Sequence, residues 1–120
     1  MANPRFGITP SDDNTGRVIT YSYYNPAYAS TISVAPNASS TSYIVQQLTG
    51  ALTINASVGA ALPLDVITFL FNADSSNRVV TFGTGFSSAG TLTVTASKKA
   101  SASFMFDGAS FVELSRAITT

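Results

Sequence analysis

The sequence predicts an all-β domain, a jelly roll or related antiparallel β-sandwich of eight to nine short strands with an N-terminal arm. Three observations lead there. Apolar residues alternate with Ser and Thr at period two in segment after segment. No window holds the i, i+3, i+4, i+7 spacing of an amphipathic helix. Many short strands at 8–12-residue spacing are separated by turn chemistry, at Asn25-Pro26, Ala35-Pro36-Asn37, Thr49-Gly50, Gly83 to Gly85, Ala89-Gly90 and Asp107-Gly108.

Taken in order, Ile19, Tyr21 and Tyr23 alternate with Val18, Thr20 and Ser22. Ile32 and Val34 flank Ser33, and Tyr43 to Leu48 reads as a strand. Leu52 and Ile54 alternate with Thr53 and Asn55. Val66 to Phe71 is a nearly unbroken apolar run, the pattern of a central strand. Arg78 to Phe82 follows, then Leu92 and Val94 among Thr91, Thr93 and Thr95. Ala102, Phe104 and Phe106 form one arm of a hairpin whose other arm runs from Phe111 to Leu114. Asp107-Gly108 joins them, because Gly takes a positive φ without steric cost. Asp74-Ser75-Ser76-Asn77 reads as a polar hairpin loop, and Lys98-Lys99 as a solvated loop between strands.

Composition restricts the function. The chain has 120 residues, no His, no Cys and no Trp, and six positive charges against six negative. Without Cys there is no disulfide, thiol nucleophile or zinc–thiolate site. Without His there is no Ser-His-Asp triad, and both the commonest general base and the commonest metal ligand are missing. Asp12, Asp13 and Asn14 lack calcium-loop spacing. Asp107 and Glu113 show no arrangement suited to paired acid catalysis. The expectation is therefore no enzyme, no cofactor and no metal. Zero net charge with no basic run argues against nucleic acid, and the longest apolar stretch, Val58 to Phe71, is interrupted by Pro63 and Asp65 and too short to span a bilayer. Asn37-Ala38-Ser39 and Asn55-Ala56-Ser57 fit the glycosylation pattern, as chance allows in so Ser/Thr-rich a chain.

The 12 charges are unevenly placed. None falls between Val18 and Leu64, a neutral stretch of 47 residues that holds all five tyrosines. Seven of the eight phenylalanines fall between residues 69 and 111. Phe suits a core, whereas Tyr suits half-wet contacts. Residues 1–40 thus read as an arm or first strands with interface character, and 41–120 as the β core. The candidate partner or oligomer contacts are Arg5, Phe6, Tyr21, Tyr23, Tyr24, Tyr28 and Tyr43.

From residue 50 to 116 the sequence resembles a β-rich module of tailed-bacteriophage virion proteins, the head decoration (cement) and head-fibre type. The residues that carry the likeness are Leu52-Thr-Ile-Asn, Asp65-Val-Ile-Thr-Phe-Leu-Phe, Asp74, Val80-Thr-Phe-Gly, Phe86, Gly90-Thr-Leu-Thr, Phe104-Met-Phe-Asp-Gly, and Phe111-Val-Glu with Arg116. Such modules often carry Gly where Leu64 stands and Trp where Phe111 stands. The resemblance implies a structural protein on the capsid surface, assembled in the host bacterial cytoplasm. It also implies a homotrimer that clamps neighbouring major capsid protein subunits. A tail-fibre module recognising host-surface glycans is the alternative.

Overall fold

The computed structural model describes residues 20–119. Ten strands form two sheets, and no helix occurs among these residues. In chain order they are β1 (Tyr21–Tyr24), β2 (Thr31–Val34), β3 (Ser40–Ile44), β4 (Leu52–Ala56), β5 (Val66–Asn72), β6 (Arg78–Phe82), β7 (Phe86–Ser87), β8 (Leu92–Val94), β9 (Lys99–Phe106) and β10 (Phe111–Ile118). The six-stranded sheet runs β1-β3-β5-β9-β10-β7 and the four-stranded sheet β2-β4-β6-β8.

The chain alternates between the sheets through its first eight strands, so β1-β2, β3-β4 and β5-β6 are successive coils stacked in parallel. This is a β-solenoid of about three turns, not the antiparallel jelly-roll sandwich expected from the sequence. The error lies in strand direction. Alternation reports which face a residue takes, and it is the same for parallel and antiparallel neighbours. The Asp74–Asn77 loop shows the consequence. It joins β5 to β6, which lie in different sheets, so it is a solenoid corner and not a hairpin. The antiparallel pairs come with the last strands, where β8 pairs with β6 and β9 pairs with β5 and with β10. There the Asp107-Gly108 hairpin forms as expected. Gly108 has φ 102°, and an Asp107 carboxylate oxygen accepts the N–H groups of Ala109 and Ser110.

The core lies between the sheets. Leu52, Ile54, Val80, Phe82, Leu92 and Val94 point in from one side. Ile67, Phe69, Phe71, Ala102, Phe104 and Phe111 point in from the other. Phe69 is the hub, with ring centroids 5.2–5.9 Å from those of Tyr43, Phe71, Phe82, Phe86 and Phe104. In-register parallel strands are spaced about 4.8 Å apart, which brings equivalent rings into stacking range. Tyr24, Tyr43 and Phe69, on β1, β3 and β5, therefore form a ladder with steps of 5.3 and 5.2 Å.

Candidate interaction surface

Register determines what the outer face of the six-stranded sheet presents. One row runs Tyr23, Ser42, Thr68, Ser103, Ser115 across five strands. Beside it runs Tyr21, Ser40, Val66, Met105, Val112, Ser87. A third row runs Ile44, Leu70, Ser101, Ala117. Among these there is no charge; Lys99, paired with Asn72, stands at the corner of the face. Tyr21 (79% exposed), Tyr23, Ile44, Leu70 and Leu114 keep large apolar surfaces open to water. The hydroxyl row between them is short and level, and Thr68 Oγ1 lies 3.4 Å from Ser103 Oγ. Exposed apolar and tyrosyl side chains on either side of a row of small hydroxyls are the composition of a protein-contact surface rather than of ordinary solvated surface.

Apart from Lys99, the charges of the ion pairs and of the Asp107 turn sit elsewhere. Arg78 closes on Asp74 through two hydrogen bonds of 2.8 and 2.7 Å at the β5–β6 corner, and this holds the Asp74 carboxyl below the usual carboxylate range. Arg116 grips Glu113 and also donates to the carbonyls of Thr91 and Gly90, which ties β10 to the turn before β8. The Arg116 hydrogen bonds are the main cause of the lowered Glu113 pKa. Backbone donors from Ser110, then Ala109, lower Asp107. Each of these charged groups already has a structural partner, and no group of three His, Cys, Asp or Glu that could hold a metal occurs among the described residues.

The candidate residues separate into distinct places. Tyr21 and Tyr23 lie on the outer face, and Tyr24 caps the aromatic ladder half exposed. Tyr28 turns back and donates its hydroxyl to the Ala51 carbonyl at 2.8 Å, tying the first coil to the second. Tyr43 is buried beneath Tyr24, where burial, and then the neighbouring Tyr24, push its phenol up to about 12. Arg5 and Phe6 lie outside the described residues. Sequence reasoning missed Ile44, Leu70 and Leu114. The outward position of Ile44 and Leu70 was legible only from alternation against buried Tyr43, Phe69 and Phe71, once the strands were placed, and Leu114 falls in the β10 bulge between Glu113 and Ser115.

A groove of about 310 Å³ borders the same face. Asn25, Gln46, Gln47, Asn72 and Lys99 surround it, with Ile44 and Leu70 along one side. Neither the protein-family models nor the curated proteins contain a match to this chain.

Proposed function

We propose that the chain is a structural virion protein of a tailed bacteriophage. It decorates the capsid by laying its sparsely charged six-stranded face across neighbouring major capsid protein subunits, and it performs no chemistry. One observation carries this reading, the outer face with Tyr21, Tyr23, Ile44 and Leu70 exposed on three rows that hold no charge, Lys99 standing at the corner. A contact of this kind gains from removing apolar surface from water and leaves no ion within the rows to be desolvated. The bacteriophage setting comes from the resemblance of residues 50–116.

The direct test is co-sedimentation of the chain with capsid shells. Leu70→Lys puts a charge in the middle of the contact, and it should lower occupancy on the order of tenfold or more while the circular dichroism spectrum stays unchanged. Undiminished occupancy would remove this face from the account. The second reading, glycan recognition, draws on the amide-lined groove, because Asn and Gln offer both donors and acceptors to sugar hydroxyls. A ligand on a glycan array whose binding is lost in Gln46→Ala would favour it.

A further inference from the structure

The two ends of the solenoid are built differently. At the C-terminal end β7 has two residues and β8 three. Pairing of β10 shifts at a bulge between Glu113 and Ser115, and the Glu113–Arg116 ion pair sits on the same strand. Short strands, bulges and charges are the devices that keep sheet edges from pairing. Among the described residues the N-terminal end has neither bulge nor charge, and its edge strands are longer, at four residues each. Neither β1 nor β2 has an outer neighbour among the described residues, and neither carries a charge, a proline or a bulge. Ser40 N–H donates to the Thr20 carbonyl, so by the alternation of a parallel ladder the peptide groups of Tyr21 and Tyr23 point away from the sheet. Thr53 N–H donates to the Ser30 carbonyl, which leaves those of Thr31 and Ser33 pointing out in the same way. Between β1 and β2 a groove of about 300 Å³, lined by Tyr24, Pro26, Ile32, Val34 and Tyr43, opens toward the core.

We infer that this end is an interface with a second copy of the chain, stacked head to head about a two-fold axis normal to the sheets. Such an axis reverses strand direction and carries each sheet onto its own continuation. Strand β1 then pairs antiparallel with its copy, β2 does the same, and both sheets run unbroken through the contact. The outward peptide groups of Tyr21, Tyr23, Thr31 and Ser33 supply about eight backbone hydrogen bonds across the two edges. The exposed side of Tyr24 and the Ile32 side chain are covered together. Charge also selects this occupant. A two-fold contact brings residues near the axis against their own copies, so any ion there would face its like. The described residues of this end belong to the neutral stretch from residue 18 to 64 and present none. The dimer does not depend on the capsid reading, but on that reading it doubles the six-stranded face and lets one assembly reach across a seam between two subunits.

The test is the mass of the full chain in solution by native mass spectrometry and light scattering, for which two chains are expected. Tyr23→Pro removes an outward N–H, leaves the β3-facing hydrogen bonds in place, and should give a single chain with an unchanged circular dichroism spectrum. Combined Tyr21→Lys and Tyr23→Lys should do the same by setting like charges about the axis, without a backbone change. Leu70→Lys, on the broad face, should keep the two-chain mass even where it loses capsid binding, so the two surfaces fail separately. A wild-type mass of one chain, as residues 1–19 covering the end would produce, overturns the inference, as does a mass of three chains. A two-chain mass that survives both edge variants overturns it equally.

Discussion

Leu64 has φ 75° and 72% of its surface exposed, immediately before buried Asp65. A side chain with a Cβ is strained in this region, whereas Gly occupies it freely. The neighbouring turn explains why the conformation persists. Asp65 Oδ2 accepts the Leu62 N–H at 2.9 Å, and Asp65 N–H donates to the Leu62 carbonyl, closing the corner that feeds β5. Leu64→Gly should therefore stabilise the protein by about 1 kcal/mol, the relief of strain exceeding the entropy that Gly adds to the unfolded chain. A urea unfolding midpoint that rises at constant m confirms this, and a fall means that the Leu64 side chain makes a contact worth more than the strain. The sequence showed an Asp entering an apolar strand there, but not the backbone angle. Thr41 was equally illegible. Its hydroxyl is buried with no hydrogen-bond partner among the described residues, and nothing in an alternating Ser/Thr pattern distinguishes it from its half-buried neighbours Ser40 and Ser42.

Strand positions were largely readable and strand partners were not. Val66 to Phe71, Leu52 to Asn55 and the Asp107-Gly108 hairpin stand where alternation and turn residues put them. A solenoid announces itself by a fixed repeat length, and this one has none. Tyr21, Ser40 and Val66 are in register at separations of 19 and 26 residues, while Thr31, Thr53 and Thr81 are at 22 and 28. The extra residues go into corners of unequal size, so the coils share geometry without sharing a sequence period. What the parallel register produces is the Tyr24–Tyr43–Phe69 ladder, and its middle ring gives a pH test. The Tyr43 phenol is raised from the ordinary 10 to about 12, first by burial. The folded chain thus holds this proton more tightly than the unfolded chain does. The stabilisation is complete below pH 10 and is lost as pH rises from 10 through 12. Wild type should lose up to about 2 kcal/mol more than Tyr43→Phe over that interval in denaturant titrations. Parallel pH curves for the two proteins would show that the ladder holds Tyr43 no differently from an exposed tyrosine.

At the scale of the whole molecule, charge distribution in the sequence becomes spatial polarity. The neutral residues 18–64 include the first two coils, and every ion pair described above ties together corners and strands of the later part. The neutral stretch was legible as a candidate contact. The broad face was not, because it also takes Val66, Thr68 and Leu70 from β5 and Ser101, Ser103 and Met105 from β9, which sequence position alone assigns to the core. A protein that works by covering seams stabilises a shell in proportion to its occupancy. The decisive measurement is the rupture temperature of particles assembled without the chain, and of the same particles after the full chain is added back. A cementing role requires a lower rupture temperature without the chain, restored by wild type and not by Leu70→Lys. An unchanged rupture temperature on removal would contradict it.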